Sequence, residues 1–195
     1  MECTNAIFGT ALPDLVEVAS STVTDGTTIT DLAIPDVGDL AAAFADWPKP
    51  RSTFERYAAE AAAGRRTVLV ARLEEAVAGF LTINWRSPYA PFVTAGIPEV
   101  QDFNVLDDMQ RRGIGTALMD AAERRISEAG HRVVGIGVGL YSGDGYGYGS
   151  AQRMYVKRGY VPDGAGVMID GVAPPPGSSI VLDDSPVLMF TKHLS

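Results

Sequence analysis

The segment from residue 99 to residue 129 constrains the fold most, because it joins a strand to a helix through a short glycine loop. Residues 99–106 have the composition of a strand. Residues 112–129 predict a strongly amphipathic helix. Its apolar stripe consists of Ile114, Ala117, Leu118, Ala121, Ala122 and Ile126. A strand followed at once by such a helix indicates a domain in which helices pack on a sheet.

The rest of the chain adds further strands and helices around this unit. The predicted helices cover residues 35–44, 52–63 (with Ser52 as a candidate N-cap) and 151–158. The predicted strands cover residues 27–33, 67–71, 77–85 and 132–140, one that begins at residue 160, and 187–192. Residues 86–98 and 162–179, rich in proline or glycine, are expected to be irregular. This order predicts an α/β fold with a mixed sheet.

Length and charge limit the classes of protein to consider. A chain of 195 residues favours one domain, here residues 27–195, preceded by a weakly ordered extension at residues 1–26. The net charge of −8 argues against a nucleic-acid partner. A negative surface either attracts cationic amines or only keeps the protein soluble. No apolar run reaches the length of a membrane span, and no secretory signal is visible, so we expect a cytoplasmic protein.

The ligand inventory for a metal is short. The chain has a single cysteine, Cys3, and two histidines, His131 and His193. These three residues are too few to provide the four cysteine or histidine ligands of a structural zinc site. A single cysteine also forms no disulfide within the chain. We therefore expect no metal.

The glycine loop, residues 110–116, is suited to binding phosphate. The first N–H groups of a helix have no partner within the helix, and the helix dipole adds positive character there. Gly113 and Gly115 leave the backbone accessible, while Arg111 and Arg112 add cations. The alternative is that both glycines serve only the turn and the packing. The loop lacks the lysine of a Walker-type motif and the third glycine of the dinucleotide fingerprint.

Two spacings in the chain resemble motifs of the GNAT superfamily of N-acetyltransferases. Gln110-x-x-Gly113-x-Gly115 is similar to that family's Q/R-x-x-G-x-G/A loop. Ala151-x-x-x-Tyr155-x-x-x-Gly159-Tyr160 is similar to its A-x-x-x-Y-x-x-x-G-F segment, one helix and one strand later. The resemblance extends from about residue 27 to the end of the chain. It implies the acyl-CoA N-acyltransferase fold, with a mostly antiparallel sheet of six to seven strands flanked by about four helices.

The resemblance also implies a co-substrate, acetyl-CoA, and the residues that bind it. In the family the loop holds the pyrophosphate, and the strand before it splays so that the pantetheine arm pairs with its backbone. The residues in that path here are Asn104, Val105, Leu106, Gln110, Arg111, Arg112, Gly113, Ile114, Gly115 and Thr116. A backbone N–H near Val105 or Leu106 is the expected oxyanion donor.

Catalytic roles follow from the resemblance for two side chains. Tyr155 matches the family's general acid, which protonates the leaving sulfur, although a helix tyrosine also packs on sheets. Glu99 resembles the general base of some members, and the alternative is a solvated carboxylate at a strand start. Asp102 is the second candidate base, expected on the opposite face of the strand because strand side chains alternate.

The sequence thus predicts transfer of an acetyl group from acetyl-CoA to a primary amine of a small molecule, peptide or protein. A longer acyl donor and a non-catalytic sensor or partner-binding domain on the same fold remain open. A homodimer also remains open. The Gly/Tyr-rich loop, residues 141–149, is either part of an amine pocket or a mobile connection.

Overall fold

The computed structural model describes residues 26–47, 49–140, 149–181, 183 and 185–195. The strands within these residues are β1 (Thr27–Asp31), β2 (Arg66–Leu73), β3 (Ala76–Asn84), β4 (Glu99–Val105), β5 (Val133–Gly139), β6 (Val161–Ile169) and β7 (Pro186–His193). The α-helices are α1 (Val37–Ala43), α2 (Arg51–Ala62), α3 (Ala90–Ala95), α4 (Ile114–Glu128) and α5 (Gly149–Lys157). The seven strands form one sheet in the order β1-β2-β3-β4-β5-β7-β6.

The sheet is mixed and mostly antiparallel, as predicted. Every neighbouring pair runs antiparallel except β4 and β5, which are parallel. The strand count lies within the predicted range, and the described residues contain one α-helix more than the expected four, because α3 was not predicted.

Helices cover both faces of the sheet. Alternate residues of β2 and β3 belong to different apolar clusters, with Leu69 and Leu81 on one face and Val68 and Phe80 on the other. The first cluster includes the buried stripe of α4, together with Tyr155 of α5. The second cluster is closed by α1 and α2. Burial of both faces explains the near-continuous apolar sequences of the central strands.

One helix was not predicted from the sequence, and the predicted starts of two others were wrong. The segment 86–98 contains α3, which has proline in its first turn and ends at Gly96 with φ 64°. Helix α2 begins after Pro50 rather than at a Ser52 cap. Helix α4 begins at Ile114, because Arg111 and Gly113 before it have φ 59° and 82°.

Strand β6 extends to Ile169, although residues 162–179 were expected to be irregular. Its pairing with β7 is interrupted by a bulge between Pro162 and Val167 and then resumes. The glycines Gly164 and Gly166 both have φ 84° within this bulge. A bulge keeps a glycine-rich segment in the sheet, and sequence patterns describe it poorly.

Gly135 of β5 leaves room for the Phe92 ring of α3, and we expect any side chain at this position to destabilise the fold. A Cβ at Gly135 would lie 2.1 Å from Cε2 of Phe92. Overpacking of this kind lowers the free energy of unfolding by about 1–3 kcal/mol, so Gly135→Ala should lower the urea midpoint accordingly. Gly137→Ala is the matched control, because its Cβ would first meet the flexible Met189 side chain at 3.3 Å. Equal midpoints for the two variants would contradict this account.

Candidate active site

A gap opens in the sheet between β4 and β5. Their register contains two residue pairs, Glu99 with Gly135 and Val100 with Ile136. Beyond these pairs β4 continues to Val105, while β5 continues to Gly139 and remains paired with β7. The carboxyl-terminal halves of the two strands therefore leave backbone edges that face a cleft between them.

A bulge in β4 lies beside this gap. The pairing with β3 jumps from Thr82 with Gln101 to Phe80 with Asn104, so that two residues of β4 lie opposite one of β3. Asp102 has φ 48°, and the Asn104 side chain donates from Nδ2 to the Asp102 carbonyl oxygen at 2.8 Å. Asn104 thereby stabilises the distorted strand beside which the resemblance placed the pantetheine arm.

The bulge reverses the predicted orientation of Asp102. Gln101 accepts from Nη1 of Arg66 at 3.3 Å, and the Arg66 guanidinium lies 4.7 Å from the centre of the Tyr57 ring. The Tyr57 hydroxyl donates in turn to Asp102. The prediction that Asp102 lies opposite Glu99 was wrong, because the extra residue resets the alternation and turns Asp102 towards α2.

Asp102 is a paired carboxylate. Lys49 Nζ lies 2.5 Å from its Oδ1, and Tyr57 donates to its other oxygen. Burial alone would raise the pKa of Asp102, but the hydrogen bonds from Lys49 and Tyr57 outweigh it and hold the pKa below its ordinary value. A carboxylate with two donors and a lowered pKa is poorly suited to accept a proton from an amine.

The backbone hydrogen bonds at the end of β4 distinguish between the two candidate oxyanion donors. The Leu106 N–H donates to the Ala78 carbonyl oxygen at 3.0 Å and is thereby occupied within the sheet. Val105 is opposite Gly79. Since hydrogen-bonded and non-hydrogen-bonded pairs alternate in an antiparallel ladder, the N–H of Val105 points away from β3 and towards the gap. Of the two residues expected to supply the oxyanion donor, only Val105 therefore has an N–H directed towards the gap.

The glycine loop lies between the end of β4 and α4. Gln110 donates from Nε2 to the Val105 carbonyl oxygen at 3.2 Å and to Oδ1 of Asp107 at 2.9 Å, so its side chain holds the loop against β4. Gly113, the residue before α4, has φ 82° and open space where a Cβ would be. Both features support a turn role, and the open space also allows an anion to approach the helix N-terminus.

The remaining loop positions fit a coenzyme A pyrophosphate. The side chains of Arg111, Arg112 and Thr116 are exposed, and Ile114 is buried in the core beneath them. A Cβ at Gly115 would lie 3.0 Å from Cζ of Phe103 in β4, so a side chain here would press on the Phe103 ring. The loop thus combines cations, an open helix N-terminus and a close approach to the strand that borders the gap.

Glu99 is a buried carboxylate rather than the solvated group of the alternative interpretation. Its residue is 6% exposed, and its Oε2 accepts from Ser87 Oγ at 2.5 Å. Its Oε1 lies 3.7 Å from where a Cβ on Gly137 would be, just beyond the last paired residue of β5. Burial raises the pKa of Glu99 and outweighs the opposing hydrogen bonds from Ser87 and Gln101.

We expect this raised pKa to appear in the pH dependence of stability. The folded protein holds the Glu99 proton more tightly than the unfolded chain does, because the pKa in the unfolded chain is the ordinary one of a glutamate. Its contribution is therefore fully present below the unfolded pKa and is lost as pH rises through the folded pKa. Glu99→Gln should gain stability relative to the wild type over that window and keep the gain above it, as measured by urea unfolding. A difference that is independent of pH would contradict a raised pKa.

Tyr155 lies on the other side of the sheet. It is 5% exposed, and its ring centre lies 6.4 Å from that of Phe103 and 5.8 Å from that of Tyr160. Burial raises the pKa of the Tyr155 phenol, so the hydroxyl is protonated at neutral pH. The ring belongs to the main core cluster, and the packing interpretation therefore also has support. Glu99 and Tyr155 approach β4 from opposite faces.

Several polar residues near the site had no signal in the sequence. They are Lys49, Tyr57, Arg66, Ser87 and Gln101, which come from separate elements and meet only in the fold. Residues 141–148 of the Gly/Tyr-rich loop lie outside the described residues. In the described part of the chain, no three His, Cys, Asp or Glu residues are grouped so as to hold a metal ion. No helix among the described residues has the length and apolar character needed to cross a bilayer.

A family comparison agrees with this geometry. The model of the acetyltransferase (GNAT) family matches residues 34–160, about two thirds of the chain. The chain belongs to the GNAT family. It is therefore an acetyltransferase, and acetyl-CoA is the co-substrate of its family. A search of curated protein sequences finds no match to this chain.

Solved structures support the GNAT fold across most of the chain. An N-acetyltransferase from Staphylococcus aureus Mu50 has a TM-score of 0.65 at 13% identity, covering 87% of this chain and 99% of that one. The ribosomal-protein-S18-alanine N-acetyltransferase from Escherichia coli has a TM-score of 0.62 at 16% identity, covering 87% and 94%. A ribosomal-protein-alanine N-acetyltransferase from Brucella melitensis has a TM-score of 0.63 at 18% identity, covering 85% and 99%. These similarities show the fold.

Proposed function

We propose that this GNAT protein transfers the acetyl group of acetyl-CoA directly to a primary amine of a small molecule, peptide or protein. The observation that carries the proposal is the gap between β4 and β5, where the Val105 N–H points towards the cleft and Gln110 holds the glycine loop against the end of β4. This arrangement offers a path for an extended acyl carrier along β4, with its phosphates at the N-terminus of α4.

Different residues would bind the phosphates, stabilise the oxyanion and protonate the leaving thiolate. Arg111, Arg112 and the first N–H groups of α4 bind phosphate, and the Val105 N–H donates to the oxygen on which negative charge develops. The bound acetyl-CoA supplies the activated thioester. The hydroxyl of Tyr155 holds a proton at neutral pH for the departing thiolate.

The acceptor needs a base, because an amine attacks only in its neutral form. Glu99 is the better candidate of the two carboxylates on this face, since burial raises its pKa towards the working range. Asp102 is held ionised by Lys49 and Tyr57. Glu99 Oε1 lies at the end of the gap where the paired part of β5 stops.

A protein or peptide N-terminus is the first acceptor to test, because two of the similar structures bear the names of ribosomal-protein-alanine acetyltransferases. The experiment measures thiol release from acetyl-CoA with an alanine-initiated peptide, a lysine amide and a polyamine as separate acceptors. Equal release of thiol and formation of acetylated amine supports the proposal. Binding of acetyl-CoA without acetylation of any amine would support a sensor instead.

The remaining assignments complete the proposal. Residues 27–195 form the acetyltransferase domain, and residues 1–26 form an extension, most of which lies outside the described residues. We propose that the protein is cytoplasmic. A measurement of its mass in solution would decide whether it forms a homodimer.

A further inference from the structure

Ser87 is a buried hydroxyl that no motif of the family accounts for. It precedes α3, is 1% exposed, and donates from Oγ to Oε2 of Glu99 at 2.5 Å. The same Oγ accepts from the backbone N–H of Tyr89 at 3.0 Å. A buried serine with a donor on one side and a carboxylate on the other has a defined direction for its proton.

The direction of that proton favours the ionised form of Glu99. A serine hydroxyl has one proton, and the Tyr89 N–H occupies an acceptor position on its oxygen. The proton is therefore directed at Glu99 Oε2, which in its ionised form accepts only. A hydrogen bond to a charged group in a buried site stabilises that charge, and here it opposes the effect of burial.

The bond also determines which oxygen of Glu99 faces the gap. With Oε2 held by Ser87, the other oxygen, Oε1, lies 3.7 Å from the position of a Cβ on Gly137. The absence of a side chain at Gly137 leaves room there, at the point where β4 and β5 part. A hydrogen bond from Gln101 and the nearby charge of Arg66 also favour the ionised carboxylate and remain when Ser87 is changed. Ser87 itself fixes Oε2, and Oε1 is then directed towards the proposed path of the amine.

Ser87 is itself held in place by a second set of bonds. The Tyr89 hydroxyl donates to Oδ2 of Asp163 in β6 at 2.8 Å, and the Ala165 N–H donates to the other oxygen of that carboxylate at 2.9 Å. Tyr89 is 4% exposed, and its ring packs edge-on against Phe92. The segment that carries Ser87 is therefore anchored to β6, the edge strand of the sheet.

We propose that Ser87 is a positioning residue, which orients the Glu99 carboxylate and keeps it ready to accept a proton from the acceptor amine. The proposal rests on the proposed function, in which Glu99 is the base. It adds a third residue to the proton-transfer apparatus, drawn from a segment outside both sequence motifs.

The first test titrates the Glu99 carboxyl carbon by NMR in protein labelled at glutamate with carbon-13, with the signal assigned by its loss in Glu99→Gln. Ser87→Ala should move the titration midpoint of Glu99 upward by about one to two pH units, the value of a hydrogen bond to a buried charge. Thr94→Ala is the control, because it removes an exposed hydroxyl of α3 that donates to the Ala90 carbonyl oxygen and should leave the midpoint of Glu99 unchanged. An unchanged or lowered midpoint in Ser87→Ala would overturn the proposal.

The second test measures the pH dependence of acetyl transfer to an alanine-initiated peptide. Ser87→Ala should move the acidic limb of kcat to higher pH and leave the KM for acetyl-CoA unchanged, whereas Ser87→Thr, which retains the hydroxyl, should restore the limb. If Ser87→Ala does not fold, Ser87→Cys replaces it, because a thiol is a weak donor.

The two assignments fail in different ways. An acidic limb that persists in Glu99→Gln would remove Glu99 as the base, and with it the role of Ser87 in catalysis. A limb that is lost in Glu99→Gln but is not shifted in Ser87→Ala would overturn the Ser87 proposal alone.

Discussion

Tyr155→Phe is expected to lower kcat for acetyl transfer by about two to four orders of magnitude, the usual contribution of a positioned proton donor. The phenol is buried and its pKa is raised, so the wild-type hydroxyl carries its proton at neutral pH, and phenylalanine has none to give. The ring and its packing against Phe103 are retained in the variant. The measurement is thiol release at saturating acetyl-CoA with an alanine-initiated peptide as acceptor.

The neighbouring tyrosine supplies the control for this experiment. Tyr160 is 1% exposed, and its hydroxyl has no hydrogen-bond partner among the described residues. Tyr160→Phe removes the same group from the same core cluster, and kcat should stay within about threefold of the wild type. If Tyr155→Phe were as active as Tyr160→Phe, Tyr155 would have only the packing role.

Gly113→Asp is expected to raise the KM for acetyl-CoA at least about a hundredfold. The residue has φ 82° at the start of α4, where an anion would meet the helix N-terminus, and the new side chain would enter open space. Two unit charges about 4 Å apart near a protein surface repel by about 4 kcal/mol, which is enough for this loss. The concentration dependence of the rate measures the effect.

A glycine at the other end of the same helix separates charge from backbone strain. Gly130 has φ 90°, and a Cβ there would also meet nothing within 4 Å. Gly130→Asp therefore imposes a comparable backbone conformation on an aspartate without adding charge near the glycine loop. We expect its KM for acetyl-CoA to match that of the wild type. An equal rise in KM in both variants would mean that strain, not phosphate binding, explains the effect of Gly113→Asp.

The parts of the structure that the sequence predicted are those with a local cause. The stripe on α4 has helical spacing, and residues 67–71 and 77–85 are two β-rich runs a few residues apart. The two family motifs lie within one continuous segment, residues 110–160. Each of these features depends on residues close together in the chain.

The features that were missed depend on pairing between distant segments. The bulge at Asp102 arises from the register between β3 and β4, and it changes which face a side chain occupies without any change in composition. Ser87 meets Glu99 only because the segment before α3 folds back over the sheet. Lys49 and Tyr57 reach Asp102 from elements about 50 residues earlier in the chain. No local spacing encodes these contacts.

Calorimetric titration of the wild-type protein with acetyl-CoA tests the central claim most directly, because the gap between β4 and β5 and the glycine loop acquire a function only if they bind this molecule. The account predicts saturable binding at one site per chain, with micromolar affinity that Gly113→Asp loses and Gly130→Asp keeps. A wild-type protein that binds no acetyl-CoA, or a Gly113→Asp variant that binds it equally well, would contradict the account.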